Sequence, residues 1–346
     1  MNKILSIIIP TYNMESYLNK CLDSLLIGDL MKYLEVLVIN DGSKDKSSSI
    51  AHNYQDKYPS IKVIDKINGN YGSCVNYGLK IATGKYIKLL DADDYFSQDI
   101  LIELIKTLIN YNIDVDLIIT DYLTVNSNGE KISVSNYEFP IKTSFNFIDF
   151  FQKKQKNIPF INMHIVAYKR ENIIKLNYKQ TEGISYTDVE WTFLPITTVQ
   201  TAFYLNQPLY NYLLGREGQT MNQNNVIRNI NSLKTLSLSL IKNYTNSYIK
   251  NDLYQQYLRY RILLELIRIY KIYLIFKQKD YKELIDFDKQ IEQTNKEIYD
   301  SLENFTINKY LKYIRVWRRF KYNKAIYPFL AYNLKINQLI HNDKQF

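Results

Sequence analysis

The stretch KYIKLLDADDYF, residues 85–96, joins an apolar strand pattern to a cluster of acids. Ile87, Leu89 and Leu90 form an apolar run that is typical of a buried strand. This apolar run ends in three carboxylates, Asp91, Asp93 and Asp94. Alone, such a sequence is typical of a turn that caps a following helix, here one that begins near Ser97. The segments on either side therefore decide whether the acids form a cap or a binding site.

Segments with strand character alternate with segments of helical periodicity on both sides of this stretch. The other predicted strands are LSIIIP (5–10), YLEVLVIND (33–41), IKVID (61–65) and IDVDLIITDYL (113–123). Helices are predicted between the strands, over residues 15–27, from about 45 to 58, from about 74 to 82 and from about 98 to 111. This alternation indicates an α/β fold with a parallel sheet that is covered by helices on both faces.

Polar residues follow each of the first four predicted strands. In a parallel sheet the carboxyl ends of the strands lie on one edge, where ligands of open α/β sheets bind. The residues expected at this edge are Thr11, Tyr12 and Asn13, then Asp41, Gly42 and Ser43, then Asn68 to Ser73, and finally Asp91, Asp93 and Asp94. Such carboxylates and small residues suit a nucleotide diphosphate bound together with Mg²⁺ or Mn²⁺. The chain has no GxxxxGK[ST] sequence, which excludes a P-loop, and no GxGxxG after the first strand, which argues against a dinucleotide-binding domain.

Four segments of the chain, in this order and spacing, resemble family 2 glycosyltransferases of the GT-A fold. They are SIIIPTYN (6–13), VLVINDGSKDKS (36–47), NGNYGSCVNYGLKIATGKYIKLLDADD (68–94) and TDVEW (187–191). The resemblance covers about residues 3–125 well and 160–220 more loosely. It implies a Rossmann-like, mostly parallel sheet in a catalytic domain over residues 1–220. It also implies transfer of a sugar from a nucleotide sugar, with UDP as the expected nucleotide, to an acceptor hydroxyl with inversion at the anomeric carbon.

The resemblance also assigns roles by position in the motifs. Donor-binding residues carried over in this way are Thr11, Tyr12, Asn13, Asp41, Asn68, Gly72, Asn76 and Asp91, of which Asp41 reads the base. Asp93 would hold the metal on the diphosphate, as Mn²⁺ or Mg²⁺. The acceptor would be a glycan, or a lipid-linked or protein-linked group, in the assembly of surface polysaccharide, teichoic acid or glycoprotein glycans.

Further along the chain, the resemblance assigns Asp188 as the general base that deprotonates the acceptor hydroxyl. Thr187 stands where the family commonly has Glu, so this chain departs from the usual Glu-Asp pair. The segment 210–220 resembles one that closes over the donor diphosphate, where Arg216 would pair with phosphate and Thr220 would donate a hydrogen bond. His164 is a further candidate for contact with donor or acceptor, although a core position is the simpler interpretation.

Each motif has a structural alternative. Asp41-Gly42-Ser43 is a common turn and cap sequence, and Asp188 suits the first turn of a helix, where the dipole favours an acid. Two other functions also stay open at this point. One is a sugar nucleotidyltransferase, although PTYNMESY (10–17) lacks the glycine-rich basic loop of those enzymes. The other is a sugar-binding or polyanion-binding protein with a degenerate site.

The cysteine count and the apolar segments bear on the cellular compartment. Two cysteines without paired spacing argue against a disulfide framework or a Cys-based zinc site and fit a reducing environment. The most apolar late segment, RILLELIRIYKIYLIF (261–276), carries four charged residues and is too short and polar to span a bilayer. The sequence therefore predicts a cytoplasmic protein, with a peripheral position at the inner face of the plasma membrane as an open alternative.

Residues 221–346 are predicted to form a basic, mostly α-helical domain. This region has 22 Lys and Arg against 11 Asp and Glu, a net charge of +11, whereas the whole chain carries +9 and residues 1–220 therefore carry −2. Basic and aromatic residues are interleaved over residues 305–332. The region is interpreted as a packed helical domain with a basic face, as a surface that contacts an anionic membrane, or as a polyanion site. Nucleic acid is the least favoured partner, because no known binding motif is present.

Overall fold

The computed structural model describes residues 3–216, 219, 222–304 and 312–341. The chain divides into two compact units, residues 1–217 and 218–346. The first unit is built on one sheet, and the second is helical. Among the described residues, no helix is long and apolar enough to cross a membrane.

Ten strands form the sheet of the first unit. Their bounds are β1 Leu5–Thr11, β2 Leu34–Asn40, β3 Ile61–Asp65, β4 Tyr86–Leu89, β5 Tyr95–Phe96, β6 Leu117–Val125, β7 Lys131–Val134, β8 Ser144–Asn146, β9 Val166–Lys169 and β10 Thr201–Leu213. The main path through the sheet is β3-β2-β1-β4-β9-β6-β10-β5, while β7 pairs with β6 and β8 pairs with β10.

The first four strands pair in parallel, as the sequence pattern predicts. Ile7 of β1 lies between Val36 of β2 and Lys88 of β4 in the paired register. Almost every residue of β1, β2 and β4 is buried, because helices cover both faces of a parallel sheet of this kind. The carboxyl ends of these strands therefore meet at one edge of the sheet, which carries the predicted polar residues.

The second half of the sheet differs from a simple parallel order. β9 lies between β4 and β6 and is antiparallel to both. The long strand β10 is parallel to β6 but antiparallel to β5 and β8. The strand predicted over residues 113–123 is present as β6, but it lies between β9 and β10, two strands that come later in the chain. Local periodicity carries no information about such an insertion, because it reports burial and not partners.

Seven α-helices lie among the described residues of the first unit. They are α1 Leu18–Asp23, α2 Ser47–Lys57, α3 Asn70–Ile81, α4 Gln98–Asn110, α5 Phe147–Lys153, α6 Arg170–Lys175 and α7 Asp188–Trp191. Short 3-10 helices lie at Gly28–Tyr33, Met163–Ile165 and Pro195–Thr198. Alternate residues of β1 face opposite layers. Ile7 belongs to the core shared with α1 and α4, whereas Ile8 faces α3, where a Cβ on Gly78 would come within 2.5 Å of it.

The second unit contains seven α-helices among its described residues. They are α8 Gln223–Arg228, α9 Ile230–Asn246, α10 Asp252–Ile275, α11 Tyr281–Thr294, α12 Lys296–Asn304, α13 Tyr313–Arg319 and α14 Tyr327–His341, with 3-10 helices at Gln278–Asp280 and Lys324–Ile326. α10 is central, with most of its residues buried. A buried ion pair joins two further helices, since Nη2 of Arg318 donates to Oδ1 of Asp288 at 2.6 Å.

Candidate active site

The loops that follow β1 and β2 are joined by hydrogen bonds through Asn13. This residue has a left-handed φ of 53°, a conformation that asparagine tolerates well. Its backbone N–H donates to Oγ of Ser43 at 3.0 Å, and its Oδ1 accepts from the N–H of Lys44 at 2.8 Å. Thr11 is buried, and its hydroxyl donates to a main-chain carbonyl two residues earlier, while Tyr12 is 43% exposed. Asn13 thus connects the two loops, and the side chain of Tyr12 is accessible to a ligand.

Asp41 lies at the end of β2, against the loop that follows β3. Its Oδ1 accepts from Nζ of Lys66 at 2.6 Å and from the N–H of Gly69 at 2.9 Å. Its carbonyl accepts from Nδ2 of Asn68 at 3.0 Å. The ammonium of Lys66 also donates to Oγ of Ser73, near the start of α3, at 2.8 Å. Asp41 and Asn68, two residues predicted to bind the nucleotide-sugar donor, therefore lie together. Beside them lies Lys66, which the motifs do not indicate.

Asp91 is held by two tyrosines. The hydroxyl of Tyr71, in the first turn of α3, donates to Oδ1 of Asp91 at 2.9 Å, and the N–H of Asp91 donates to the hydroxyl oxygen of Tyr210 at 3.1 Å. Burial raises the pKa of Asp91, and the charges of Asp93 and Asp188 raise it further. A neighbouring cation would favour the charged form of this carboxylate, because it offsets both effects.

Asp94 has a structural role in this cluster. It is 1% exposed, its Oδ2 accepts from the hydroxyl of Tyr210 at 2.7 Å, and its Oδ1 accepts from the N–H of Leu213 at 2.8 Å. Burial raises its pKa well above the usual range. Both oxygens are engaged in binding β10 to the acidic turn, so Asp94 fixes the geometry of the edge.

Asp93 pairs with Arg216. Nε of Arg216 donates to Oδ2 of Asp93, and both side chains are largely buried, with 12% and 11% exposure. The guanidinium also lies over the ring of Tyr17, 5.7 Å from its centroid. A cation therefore contacts the carboxylate that the resemblance assigns to the metal. Thr220, the other residue of this segment that is predicted to bind the nucleotide-sugar donor, lies outside the described residues.

The acidic turn has the chemistry of a site for a divalent cation. Within the described chain, no hydrogen bond engages Oδ2 of Asp91 or Oδ1 of Asp93. Hard cations such as Mg²⁺ and Mn²⁺ prefer carboxylate oxygens of this kind, so the residues fit such an ion. Ligand atoms of Asp91, Asp94 and His164 also lie within 4.8 Å of one another. In that group the hydrogen bonds of Asp94 compete with metal binding. Asp91 and Asp93, by contrast, each have one carboxylate oxygen that is available to a metal ion.

His164 lies in an aromatic pocket behind the acidic turn. Its ring centroid is 4.7 Å from that of Tyr210 and 4.8 Å from that of Tyr212, and its Nδ1 is buried with no hydrogen-bond partner in the described chain. Burial lowers its pKa to about 3, and the nearby Lys88 lowers it too, so the ring is neutral at physiological pH. Lys88 is itself buried, and Nζ donates to the carbonyl of His164 at 2.7 Å.

Asp188 begins α7, as the interpretation of TDVEW as a helix start predicts. Its charge raises the pKa of Asp91 and of Tyr71, in both cases after the larger effect of burial, so it lies within electrostatic range of the acidic turn. Two residues later, the carboxylate of Glu190 accepts from the N–H and the hydroxyl of Thr181 at 2.6 and 2.7 Å. The two acids of this motif thus differ, since Glu190 is buried in the scaffold and Asp188 is only partly buried.

Gly72 and Asn76, two of the predicted donor-binding residues, lie against a segment much later in the chain. Nδ2 of Asn76 donates to the carbonyl of Gln180 at 2.9 Å, and a Cβ on Gly72 would lie 2.1 Å from the carbonyl oxygen of Thr181. Both residues therefore contact residues 180–182. The motifs assign no individual role to Tyr71, Tyr210 or Glu190, although all three lie within the segments that carry the resemblance, and Lys66 lies outside those segments. Their partners are distant in the chain or lie in loops without periodicity.

Comparison with known proteins identifies the family. The sequence model described as Glycosyl transferase family 2 matches residues 6–176. An uncharacterized glycosyltransferase of Mycoplasma pneumoniae is 31% identical over 227 residues, which cover 64% of this chain and 72% of that protein. The chain belongs to glycosyltransferase family 2. As a family 2 glycosyltransferase it is an enzyme of sugar transfer, which decides against the nucleotidyltransferase and the degenerate binding protein.

Two further relatives of this family 2 glycosyltransferase bear on its fold and context. The minor teichoic acid biosynthesis protein GgaB of Bacillus subtilis is 35% identical over 115 residues, which cover 33% of this chain and 13% of GgaB. The crystal structure of S. aureus TarS residues 1–349 in complex with UDP-GlcNAc has a TM-score of 0.67 and 17% identity, and the match covers 96% of this chain and 92% of that one. This likeness confirms the predicted GT-A fold followed by a helical region.

Proposed function

We propose that this enzyme transfers a sugar from a UDP-sugar to an acceptor hydroxyl with inversion, assisted by Mg²⁺ or Mn²⁺. The observation that carries the proposal is the joint position of Asp91, Asp93 and Asp188. Asp91 and Asp93 each have a carboxylate oxygen without a hydrogen bond in the described chain, and they lie near the guanidinium of Arg216. Asp188 lies within electrostatic range of these acids. This arrangement provides separate groups for the departing diphosphate and for the attacking hydroxyl.

The nucleotide would bind over the ends of β1 and β2. Asp41 supplies an acceptor and Lys66 a donor beside it, 2.6 Å apart, which suits hydrogen bonds to the edge of a pyrimidine base. Tyr12, which is 43% exposed, can cover a base or ribose. UDP is preferred as the nucleotide because TarS, which has a similar fold, has been crystallized with UDP-GlcNAc and with UDP.

The diphosphate would lie at the acidic turn. Asp91 and Asp93 would hold the metal ion, which neutralises the charge that develops on the leaving diphosphate. Arg216 would then exchange its pairing with Asp93 for a bidentate contact to phosphate, since guanidinium suits both carboxylate and phosphate oxygens. Asp94 and Tyr210 would keep the turn in place, because they tie it to β10.

Transfer would proceed in one displacement. The acceptor oxygen forms a bond to the anomeric carbon while the bond from that carbon to the diphosphate breaks, and UDP leaves with the electron pair. Asp188 takes the proton of the acceptor hydroxyl, from a position within hydrogen-bond reach. Attack opposite the leaving group inverts the configuration. A surface polymer such as teichoic acid is the proposed acceptor class, since GgaB is among the relatives.

The second unit is proposed to contact an anionic membrane surface. Arg315, Arg319, Lys321 and Lys324 are exposed and form no ion pair within the described chain, and the aromatic side chains of Phe320 and Phe329 are 55% and 56% exposed. Each basic residue near an anionic leaflet contributes about 1 kcal/mol. Equal sedimentation with anionic and neutral vesicles would contradict this contact and leave the catalytic proposal untouched.

A donor screen tests the catalytic proposal. We expect release of nucleotide from one or more UDP-sugars in the presence of Mn²⁺ or Mg²⁺, with GDP-, CDP- and dTDP-sugars as alternatives in the same assay. Asp93→Ala should abolish the metal-dependent activity. Asp188→Asn should retain UDP binding and lose transfer. Turnover of no nucleotide sugar at all, or normal transfer by Asp188→Asn, would overturn the assignment.

A further inference from the structure

The side-chain amide of Asn76 forms hydrogen bonds with a main-chain N–H and a main-chain carbonyl, as the backbone of a neighbouring strand would. Its Oδ1 accepts from the N–H of Gln180 at 2.8 Å, and its Nδ2 donates to the carbonyl of Gln180 at 2.9 Å and to Oε1 of Glu182 at 2.8 Å. An asparagine amide has two N–H donors and two acceptor sites, so three of the four are occupied. The side chain is therefore committed to residues 180–182, which we term the strap.

The strap lies directly against α3 on either side of this contact. One turn before Asn76, a Cβ on Gly72 would lie 2.1 Å from the carbonyl oxygen of Thr181, a distance that no side chain tolerates. Just beyond the strap, the N–H of Gly183 donates to the carbonyl of Gly69 at 3.0 Å. Three positions from just before α3 to its middle, Gly69, Gly72 and Asn76, therefore contact one short segment.

The opposite side of the strap holds α7. The N–H and the hydroxyl of Thr181 donate to the two carboxylate oxygens of Glu190, at 2.6 and 2.7 Å. Glu190 is 3% exposed, so these hydrogen bonds satisfy a carboxylate that is removed from water. α7 is only four residues long, Asp188–Trp191. A single helical turn has little stability of its own, so its contacts determine its position.

These contacts form one connected path from α3 to α7. The first turn of α3 also carries Tyr71, whose hydroxyl donates to Asp91 at 2.9 Å. α3 thus contacts the carboxylate of Asp91 directly. It is linked to Asp188 indirectly, because it contacts the strap, and the strap contacts Glu190 of α7. We propose that Asn76 is a positioning residue, which fixes Asp188 relative to Asp91 through the strap and does not touch the donor. The inference rests on the proposed function, in which Asp188 is the general base.

Two variants and a matched control test this path. Asn76→Ala removes the three hydrogen bonds, and Gly72→Ala displaces the strap by steric contact, without a change at Asp188. Asn53→Ala is the control, because Asn53 is an exposed residue of α2. UDP binding with Mn²⁺ is measured by calorimetry, and release of UDP from the donor selected in the screen is measured with water as the acceptor. Thermal unfolding of each variant establishes that it is folded at the assay temperature.

For Asn76→Ala and Gly72→Ala we expect kcat to fall about tenfold or more, as for a misplaced catalytic group, with the Kd for UDP changed less than about threefold. Hydrogen exchange should become faster in residues 180–191 and stay unchanged in β1 and β2. Glu190→Gln, which keeps an acceptor for the N–H of Thr181, should lose less activity than Glu190→Ala. Asn53→Ala should match the wild type in all of these measurements.

The outcomes separate this inference from the proposed function. A large increase in the Kd for UDP with unchanged exchange in residues 180–191 would make Asn76 a donor ligand and overturn the inference. Unchanged exchange and unchanged kcat would also overturn it. Loss of activity in Asp188→Asn together with full activity in Asn76→Ala would refute only the positioning role. Full activity in Asp188→Asn would refute the base itself.

Discussion

The hydroxyl of Tyr71 donates a hydrogen bond of 2.9 Å to Oδ1 of Asp91, across 20 residues of sequence. Tyr71 belongs to the first turn of α3, and Asp91 begins the acidic turn after β4. This bond occupies one carboxylate oxygen of Asp91 and leaves the other for a ligand. The relationship ties the loop that follows β3 to the proposed donor site.

Tyr71→Phe should weaken donor binding and keep the fold. The change removes only the hydroxyl, and a hydrogen bond to a charged group contributes about 1.5–3 kcal/mol, so we expect the Kd of the UDP-sugar to rise about tenfold or more. Titration calorimetry measures this Kd. Tyr86→Phe is the matched control, since the hydroxyl of Tyr86 contacts the N–H of Val115 at 3.1 Å, away from the acidic turn. Equal affinities in the two variants would contradict a role for Tyr71 at the donor site.

Arg216→Ala should change metal binding and catalysis in opposite directions. The guanidinium competes for Asp93, so its removal should strengthen Mn²⁺ binding to the nucleotide-free enzyme. The same change removes the proposed phosphate partner, and kcat should fall by about tenfold or more. Electron paramagnetic resonance of free Mn²⁺ measures the affinity. Arg228→Ala, at an exposed position in α8, is the control, and weaker Mn²⁺ binding in Arg216→Ala would refute the competition.

Lys88→Met should change how stability depends on pH. Burial lowers the pKa of Lys88 from 10.5 to about 7 in the folded protein. Between these two values the unfolded chain binds a proton that the folded protein does not, so this residue makes the free energy of unfolding rise with pH. The stability of Lys88→Met relative to the wild type should therefore be greatest near pH 7 and decrease towards pH 10. Urea unfolding at several pH values measures the free energy of unfolding of both proteins. Lys80→Met, at an exposed position, is the control. A difference in stability between Lys88→Met and the wild type that is independent of pH would contradict the prediction.

Asp288→Asn should destabilise the second unit. Asp288 is fully buried and accepts from Arg318 at 2.6 Å and from the hydroxyl of Tyr322 at 3.1 Å. Loss of the carboxylate leaves the buried guanidinium of Arg318 with only the more distant Glu303, at 3.8 Å, as an acidic partner, and breaking a buried pair typically costs about 3–5 kcal/mol. Thermal and urea unfolding followed by circular dichroism measure the loss. Asp286→Asn, an exposed neighbour in α11, should have little effect, and equal stability of the two variants would show that the buried pair contributes nothing.

Much of the catalytic unit could be predicted from local patterns. The apolar runs and helical periodicity over residues 5–123 predict the four parallel strands and the helices between them, because burial on both faces leaves a strong periodic signal. The parallel order then brings Asp41 and the acidic turn to one edge. The helical character of the described residues between 225 and 340 was predictable in the same way. Neither prediction required knowledge of which distant side chains touch.

The pairs that shape the site were not predictable in this way. Arg216 reaches Asp93 across 123 residues, Tyr210 reaches Asp94 across 116, and Asn76 reaches Gln180 across 104. The family motifs contain Asn76 and Gly72, but they do not indicate the contacts of these residues with the strap. A motif records which residue types occur together and not what each one touches.

The class of fold, the edge of the sheet that carries the polar groups and the family of the enzyme can be inferred from the sequence. These follow from periodicity, strand order and motif spacing, which are properties of neighbouring residues. Only the packing of distant segments shows that β9 enters the sheet between β4 and β6, that both oxygens of Asp94 bind to β10 and that Arg216 contacts Asp93. Those outcomes depend on packing and charge between segments that are far apart in the chain, and local patterns do not encode them.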